Sequence, residues 1–464
     1  MLPHPISLSS APPATQPVDI AQVIDNTPMG GYQRRVLFFT AFSIVIDGID
    51  SQLLGIAIPV MMTEWLVSRA AFAPVLALGF VGMMVGGAIA GIVGDRLGRR
   101  VALIGSVLIF GIATVSASLV HGLIALAMFR FFVGIGLQGA SPNAAALVSE
   151  YAPLRNRAFA ITLTIVCIPA GAMLAGLIAI PVLPLLGWRV LFAIGGVIPL
   201  IVGILLLRFL PESPRYLVQR PARWAELSRI LRRIDPRIRV DAPFIDSAEA
   251  PIRQAPLSTL FTRGLSLDTC ALWSAFFFCL LAVYSGFNWL PSMLTQAGLG
   301  SMANTGITAY NLGGVVGAIV GAIAIKRFGS RLTMITIAAV ASAIALGMRS
   351  MTFSSLAPAL PIILMLAVIG SLINAVQVTM YALGAHIYPT IARSTGVGVA
   401  SSVGRLGAIL STYAGAWALE SGGSSAFFTL VAAAMLAVML SLAAVRRHIP
   451  RTTGLTAASA SMSN

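Results

Sequence analysis

The chain has 464 residues, of which 58% are hydrophobic and only 10% are charged. A soluble domain carries about 25% charged residues, so the composition excludes a soluble globular protein and indicates an integral membrane protein. The formal net charge of +15 could suggest nucleic-acid binding, but the positive residues lie in alternate loops between apolar runs, which is a sign of membrane topology.

The apolar runs are long enough to cross a membrane as helices, since a helix needs about 20 mainly apolar residues to span the hydrocarbon layer. They are continuous rather than alternating in stretches of about ten, which argues against a transmembrane β-barrel. The sequence therefore predicts an all-α membrane protein. We predict twelve spans, at 36–61, 72–93, 101–119, 122–147, 158–182, 189–209, 269–295, 304–325, 332–349, 357–384, 395–419 and 425–445.

Polar segments divide these spans into two groups of six. The N-terminal tail lacks the basic start and apolar core of a cleaved signal peptide, and we expect order in it near the stretch VDIAQVID. The predicted divisions are an N-terminal tail at 1–35, a first bundle at 36–209, a linker at 210–268, a second bundle at 269–445 and a C-terminal tail at 446–464.

The linker contains PARWAELSRILRRI, in which Trp224, Leu227 and Ile234 belong to a set of apolar residues at helical spacing between arginines. This pattern predicts an amphipathic helix on the inner face of the membrane, with a solvated linker helix as the alternative.

Lys and Arg residues indicate the orientation. With the N-terminus inside, eleven of them fall in the inside segment 208–263, whereas the outside loops hold only Arg69, Arg189 and Arg349. The positive-inside rule then places both termini in the cytoplasm.

The sequence offers little for enzymatic chemistry. Its three cysteines have no paired spacing, and none of its four histidines has a second His or a Cys at the spacing of metal ligands. We expect no disulfide framework, metal or cofactor. A membrane enzyme is disfavoured because no nucleophile and base are paired, and a receptor because no soluble signalling domain is recognisable.

Four ionisable residues fall near the middle of predicted spans, namely Asp47, Asp50, Arg130 and Arg405. Each costs about 2.5–3.5 kcal/mol to insert, so such residues mark a functional site. Asp47 and Asp50 are three residues apart and share one helix face. Two such carboxylates cannot both ionise cheaply in a low dielectric, so we expect one to carry a proton. The alternative is that the acids only pair with arginines to hold helices together.

Several motifs now point to a family. GDRLGRR at 94–100 follows the second span, and KRFGSR at 326–331 follows the eighth, although Lys326 stands there in the place of Asp95. With RFFVGIGLQG at 130–139 and PESPRYL at 211–217, this repeat resembles the major facilitator superfamily. DGIDSQLLGIAIP in the first span and YPTIARSTGVGVASSVGRLGAI at 388–409 resemble the aromatic acid:proton symporters within it.

The resemblance implies two pseudo-symmetric six-helix bundles, the major facilitator fold, with a site between them. It implies proton-coupled import of an aromatic carboxylate, of the benzoate or hydroxybenzoate type, by alternating access. A proton symporter of a sugar or another small organic acid is the alternative. A drug antiporter fits less well, because the fifth span lacks the Gly-Pro-Gly-Gly pattern of those exporters.

Roles for individual residues follow from their chemistry and from the resemblance. Arginine stays protonated, so Arg130 and Arg405 can bind carboxylates but cannot carry protons. Arg130 could instead contact substrate, and Arg405 could instead pair with an aspartate of the first span. We expect proton coupling from Asp47, Asp50 and Arg130; substrate binding from Arg405, Gln138, Asn288, Trp289, Tyr310 and Asn374; and gating from Asp95, Arg96, Arg99 and Arg100.

The expected partners are a small aromatic acid, protons and the lipid bilayer, without nucleic acid. We expect a monomer that crosses the bacterial inner membrane many times.

Overall fold

In the computed structural model, which describes residues 17–238, 243–247, 257–262, 264–351, 353, 359–389 and 392–451, the chain is almost entirely helical. The described helices are α1 (Ile20–Asn26), α2 (Gly31–Trp65), α3 (Ala73–Leu97), α4 (Arg99–Ala117), α5 (Leu123–Tyr151), α6 (Leu154–Phe209), α7 (Pro214–Val218), α8 (Trp224–Ile234), α9 (Ser266–Gln296), α10 (Ala303–Phe328), α11 (Ser330–Arg349), α12 (Ala359–Ile387) and α13 (Arg393–Ala444). Single 3-10 turns occur at Arg69–Phe72, Pro221–Arg223, Leu257–Phe261 and Gly300–Met302. Two short strands, β1 (Val18–Asp19) and β2 (Phe244–Ile245), pair in parallel.

Among the described residues, ten helices are long and apolar enough to cross a membrane, and two of them supply two spans each. The long helix α6 is broken at Gly187, whose φ of 77° lies in the left-handed region that favours glycine. The long helix α13 is broken at Gly422 and Gly423. Both breaks fall in gaps that the sequence predicts, so the ten helices found in the described part of the chain account for the twelve expected spans. The predicted start of the tenth span, at 357, lies outside the described residues.

Glycines let the transmembrane helices cross in backbone contact, in the same way in both halves. A Cβ at Gly82 or Gly86 of α3 would lie 2.1 or 2.2 Å from a carbonyl oxygen of α5. A Cβ at Gly313 or Gly317 of α10 would lie 1.9 or 2.0 Å from a carbonyl oxygen of α12. Such distances leave no room for a side chain, so these crossings require small residues. The matching contacts confirm the predicted pseudo-symmetry.

The helices α2 to α6 form the first six-span bundle and α9 to α13 form the second. In the first, α2 packs along α6 and α3 along α5; in the second, α9 packs along α13 and α10 along α12. The bundles meet where α2 contacts α9, α6 contacts α10, and α3 contacts α13. At the first of these contacts, a Cβ on Gly55 would lie 2.4 Å from the Phe287 carbonyl oxygen. The backbones of α2 and α9 are therefore in direct contact at this point.

The N-terminal segment and the linker pack together beside the first bundle. The predicted order near VDIAQVID is confirmed, because β1 and α1 cover that stretch, and Ile20 and Ile24 are buried. Of the predicted tails and linker, residues 1–16, 239–242, 248–256, 263 and 452–464 lie outside the described residues.

The predicted amphipathic helix in the linker is confirmed as α8, but its expected place on the membrane is not. Its apolar residues Leu227, Ile230 and Leu231 are buried within the protein. The helix contacts α1, α2 and α7, and the ring of Trp224 packs edge-on against Phe244 at 5.5 Å. Protein rather than lipid covers the apolar face, because the N-terminal segment folds back onto it.

Candidate functional site

Asp50 is fully buried and pairs inside the first bundle. Thr114 of α4 donates its hydroxyl to Asp50 Oδ1 at 2.5 Å, and Arg130 Nη1 of α5 donates to Asp50 Oδ2 at 3.4 Å. Gly79 of α3 lies against the arginine, and a Cβ there would be in ordinary van der Waals contact with Arg130 Nε at 3.8 Å. These contacts join α2, α4 and α5, and removing either charge would leave the other buried without compensation.

Asp47 lies three residues earlier on α2 and has different partners. Ser141 of α5 donates its hydroxyl to Asp47 Oδ2 at 2.7 Å. No ion pair involves Asp47 within the part of the chain that the structure describes, but Arg405 and Asp50 are near enough to interact with it electrostatically. Asp50 therefore has a cationic partner within hydrogen-bond distance, whereas Asp47 has a neutral one.

Arg405 extends from the second bundle to the first. Its Nη2 donates to Gln138 Oε1 of α5, and its Nη1 lies 3.5 Å from the sulfur of Met83 of α3. Gln138 and Ser141 are one helical turn apart on α5, so the partners of Arg405 and Asp47 share one helix face. The bundle interface thus holds a cation bound to neutral groups next to an acid bound to a hydroxyl.

Aromatic rings lie close to this pair. The ring of Tyr284 on α9 packs edge-on against Phe80 on α3 at 4.6 Å. Tyr284 lies within electrostatic range of Arg405, Asp47 and Tyr381. Such rings offer a flat, largely apolar surface to which another aromatic ring can stack or pack edge-on.

Four other residues predicted to contact substrate have these positions. Trp289 is buried and its Nε1 donates to a carbonyl of α13 at 3.2 Å, while the Asn374 amide donates to its own helix at 2.9 Å. The Tyr310 hydroxyl and the Asn288 Nδ2 are buried without a hydrogen-bond partner in the described part of the protein. The structure brings Gln138 to Arg405, and no hydrogen bond among the described residues joins these four to Arg405.

Asp95 and Arg99 of the loop at 94–100 form their ion pairs within the first bundle. Asp95 Oδ1 pairs with Arg99 Nη2 at 2.6 Å, and Arg99 Nε lies 3.9 Å from Glu150 Oε1. The sequence predicts that Asp95 meets helix ends or arginines of the opposite bundle, but its ion pair in this structure is with Arg99. A gating role for the loop therefore stays a prediction.

The other two arginines of this loop lie beside the segment that follows the sixth span. The Arg100 amide donates to Glu212 Oε1 at 3.0 Å, and the Arg96 carbonyl accepts a hydrogen bond from the Tyr216 hydroxyl at 3.2 Å. Between them Gly98 has a φ of 109°, and a Cβ there would lie 2.1 Å from Glu212 Oε2. The GDRLGRR and PESPRYL motifs thus form one contact.

At the opposite end of the molecule, hydrogen bonds join the two bundles directly. Arg69 Nη1 donates to Gln296 Oε1 at 3.1 Å, and the Ala70 amide donates to Glu420 Oε1 at 3.1 Å. Asn304 donates to a carbonyl of α6 at 3.2 Å. Between described residues, no hydrogen bond joins the bundles at the end that carries the linker. Hydrogen bonds therefore hold the two bundles together at the Arg69 end.

Sequence reasoning missed several contributors, chiefly Ser141, Thr114, Phe80 and Met83. Ser141 had a usable signal, because it follows Gln138 by one turn on the face that begins at Arg130. The others are ordinary residues of apolar spans, and only the packing of the helices identifies them.

No group of three or more His, Cys, Asp or Glu side chains that could hold a metal ion occurs within the described ranges.

Comparison with known proteins agrees with this architecture. A profile of the Major Facilitator Superfamily matches residues 40–412. The gallate transporter of Pseudomonas putida is 34% identical over 437 residues, which are 93% of this chain and 96% of that protein. The 4-hydroxybenzoate transporter PcaK of Pseudomonas putida is 31% identical, over 87% of this chain and 90% of its own length. The benzoate transport protein of Acinetobacter baylyi is 30% identical over 87% of each chain.

Among solved structures, a partially occluded inward open conformation of the xylose transporter XylE from E. coli has a TM-score of 0.67 to this chain. It covers 89% of this chain and 97% of its own, at 17% identity, and so is similar in fold alone. The profile match across most of the chain and the matching fold establish that this protein belongs to the Major Facilitator Superfamily of membrane transporters.

Proposed function

We propose that this protein is a proton-coupled secondary transporter that imports an aromatic carboxylate, of the benzoate or hydroxybenzoate type, by alternating access. The observation that carries the proposal is the position of Arg405 and Asp47, which come from opposite bundles and are held one turn apart on α5 by Gln138 and Ser141. The relatives support the substrate class, since they are named for gallate, 4-hydroxybenzoate and benzoate.

Arg405 binds the substrate carboxylate. Its planar guanidinium can donate two parallel hydrogen bonds to a carboxylate, and such charge-assisted bonds are stronger than the bond to the neutral amide of Gln138. The substrate ring then lies beside the aromatic side chains of Tyr284, Phe80 and Tyr381, which provide edge and face contacts.

Asp47 carries the proton. Asp50 interacts electrostatically with Asp47 and is paired with Arg130, so these two residues take part in the proton coupling. A bound anion compensates Arg405, and a proton on Asp47 removes the remaining negative charge, so the bundles can close without enclosing an unpaired ion. One monoanion with one proton is electroneutral and follows the pH gradient. A second proton would add about 2.3 kcal/mol per 100 mV of membrane potential.

The proposed orientation places both termini in the cytoplasm of a bacterium, with the chain in the inner membrane as a monomer. The support is the concentration of Lys and Arg in alternate loops. In that orientation the hydrogen bonds at Arg69 and Glu420 lie on the outer side, consistent with a state that faces the cytoplasm. The inner gate is formed by the residues Asp95, Arg96, Arg99 and Arg100. The proposed divisions are 1–35, 36–209, 210–268, 269–445 and 446–464.

Counterflow in proteoliposomes tests the substrate. Vesicles loaded with unlabelled 4-hydroxybenzoate should accumulate external radiolabelled 4-hydroxybenzoate, and external benzoate should compete, whereas xylose and succinate should not. Vesicles carrying an Arg405→Ala variant are the matched control and should exchange little. Failure to exchange any aromatic acid, or competition by xylose or succinate instead, would refute the proposed substrate class.

Collapse of the proton gradient tests the coupling. Uptake by wild-type vesicles driven by an inward proton gradient should fall to the equilibrium level when a protonophore is added, while counterflow should persist. Uptake that is indifferent to the protonophore would exclude proton coupling.

A further inference from the structure

Two buried asparagines near the bundle interface have complementary free atoms. Asn288 on α9 and Asn311 on α10 are 4% and 0% exposed. Among the described residues, Asn288 Nδ2 and Asn311 Oδ1 have no hydrogen-bond partner. One is a donor and the other an acceptor, and buried polar atoms are nearly always satisfied. These two atoms are therefore available to hydrogen-bond a ligand.

Asn288 lies next to the proposed substrate site. It follows Tyr284 by four residues, so both side chains are on one face of α9, about 6 Å apart along the helix axis. Tyr284 packs against Phe80 of the first bundle, so this face is turned toward that bundle. Gly55 of α2 confirms the direction, because a Cβ there would lie 3.2 Å from Asn288 Cα.

Asn311 is held at the same place by Gln52 of α2. The Gln52 amide donates to the carbonyl of Phe287, the residue before Asn288, at 2.6 Å. Asn311 Nδ2 donates to Gln52 Oε1 at 3.4 Å. These bonds fix the orientation of the Asn311 amide, because its NH₂ is used by Gln52 and its Oδ1 remains available as an acceptor.

We infer that Asn288 and Asn311 form a subsite for a hydroxyl group on the substrate ring, at the para position to the carboxylate. This inference rests on the proposed function and extends it to substrate specificity. A phenolic hydroxyl can accept a hydrogen bond from Asn288 Nδ2 and donate one to Asn311 Oδ1, which satisfies both atoms. Asn288 lies about 6 Å along α9 from Tyr284, and Tyr284 is within electrostatic range of Arg405. A benzene ring with a substituent at each end has a similar length.

The chemistry makes the subsite selective. Benzoate would bring a C–H group to these atoms and leave both unpaired, and a site built to hydrogen-bond a hydroxyl strongly rejects the analogue that lacks it. A hydroxyl at the ortho position lies beside the carboxylate and cannot reach Asn288. The transporter should therefore prefer 4-hydroxybenzoate to both benzoate and 2-hydroxybenzoate.

Inhibition of counterflow by this ligand series tests the inference. For the wild type, we expect 4-hydroxybenzoate to bind roughly tenfold or more tightly than benzoate or 2-hydroxybenzoate, the factor that one or two hydrogen bonds provide. Asn288→Leu should remove most of this preference by weakening only 4-hydroxybenzoate. Ser342→Ala, which removes a buried hydrogen bond between α11 and α13, is the matched control and should keep the preference.

Equal affinity of the wild type for the three acids would overturn the inference, and so would an Asn288→Leu variant that weakens all three equally. The wild-type series gives an answer even if Asn288→Leu does not fold, and Asn288→Ser is a smaller second variant with the same expectation. Equal binding of the three acids that still depends on Arg405 would refute the hydroxyl subsite but not the proposed function. If no aromatic acid binds, both the subsite and the proposed function are refuted.

Discussion

Arg405 of α13 donates a hydrogen bond to Gln138 of α5, so a cation of the second bundle is attached to the first bundle. A substrate carboxylate that binds the guanidinium competes with Gln138 for the same donor. In the proposed function, binding of the anion to Arg405 would therefore replace a contact between the bundles and connect the site to the movement that alternating access requires.

Replacing Arg405 with lysine should keep the charge but lose the planar pair of donors. We expect Arg405→Lys to raise the KM for the aromatic acid by about tenfold or more, because a lysine ammonium cannot form the bidentate bond. Initial uptake rates in proteoliposomes over a range of substrate concentrations measure this. Gln138→Ala should have a smaller effect in the same assay, and an Arg405→Lys variant with normal KM would contradict the assigned role.

Replacing each of the two aspartates of α2 with asparagine should have different effects, on coupling for Asp47 and on stability for Asp50. Asp47→Asn removes the proposed proton site but no ion pair, so we expect a folded protein that exchanges substrate by counterflow but does not accumulate it against a gradient. Asp47→Glu should restore part of the accumulation. Gradient-driven uptake that remains normal in Asp47→Asn would place the proton elsewhere.

Asp50→Asn should primarily reduce stability. It leaves Arg130 buried without its counter-charge, and breaking a buried pair in this way costs about 3–5 kcal/mol. We expect a clearly lower melting temperature in detergent than for Asp47→Asn. The double variant Asp50→Asn with Arg130→Met removes both charges and should recover stability; a melting temperature of Asp50→Asn equal to that of the wild type would contradict the structural role of the pair.

The spans and the charged residues could be predicted because each has a local signal. Apolar runs of sufficient length mark the helices, and the breaks at Gly187 and Gly423 fall where the hydrophobic pattern is interrupted. Asp47, Asp50 and Arg405 are conspicuous because charge is costly in such runs.

The partners of these residues could not be predicted, because they depend on how the helices rotate and cross. Asp50 takes Arg130 and Thr114, while Asp47, three residues away, takes Ser141. The pairing of β1 with β2 could not be predicted from the sequence either, since each strand has two residues and they lie far apart in the chain. That pairing helps to explain why α8 is covered by protein rather than lipid.

The contacts at the Arg69 end should hold the outer side closed. Glu420→Ala removes the acceptor of the Ala70 amide, and Arg69→Ala removes the bond to Gln296. Each loss is about 1 kcal/mol, so the outward-open population should rise several-fold. Labelling of a cysteine introduced at Phe80 by a membrane-impermeant reagent added outside measures this population.

Glu64→Ala is the matched control for these variants, because Glu64 pairs with Arg189 at 2.6 Å within the first bundle and makes no bond across the interface in the described structure. Labelling that rises as much in Glu64→Ala as in Glu420→Ala would show that the effect is a general loosening of the outer loops.

The crossing of α2 and α6 should be sensitive to one methyl group. A Cβ on Gly48 would lie 2.1 Å from the Ile168 carbonyl oxygen, and one on Gly171 would lie 1.9 Å from the Val45 carbonyl oxygen. Gly48→Ala must therefore push α6 away from α2 beside Asp47, at a cost of about 1–3 kcal/mol for overpacking. We expect a lower melting temperature and reduced transport.

Gly105→Ala on α4 is the control for this prediction, because nothing lies within 4 Å of a Cβ at that position. Alanine is favoured over glycine in a helix by about 1 kcal/mol, so this variant should melt at or above the wild-type temperature and transport normally. Since both variants add the same methyl group to a transmembrane helix, the difference between them isolates the contact with α6. A Gly48→Ala protein that melts with or above Gly105→Ala would show that the two helices do not cross at the observed distance.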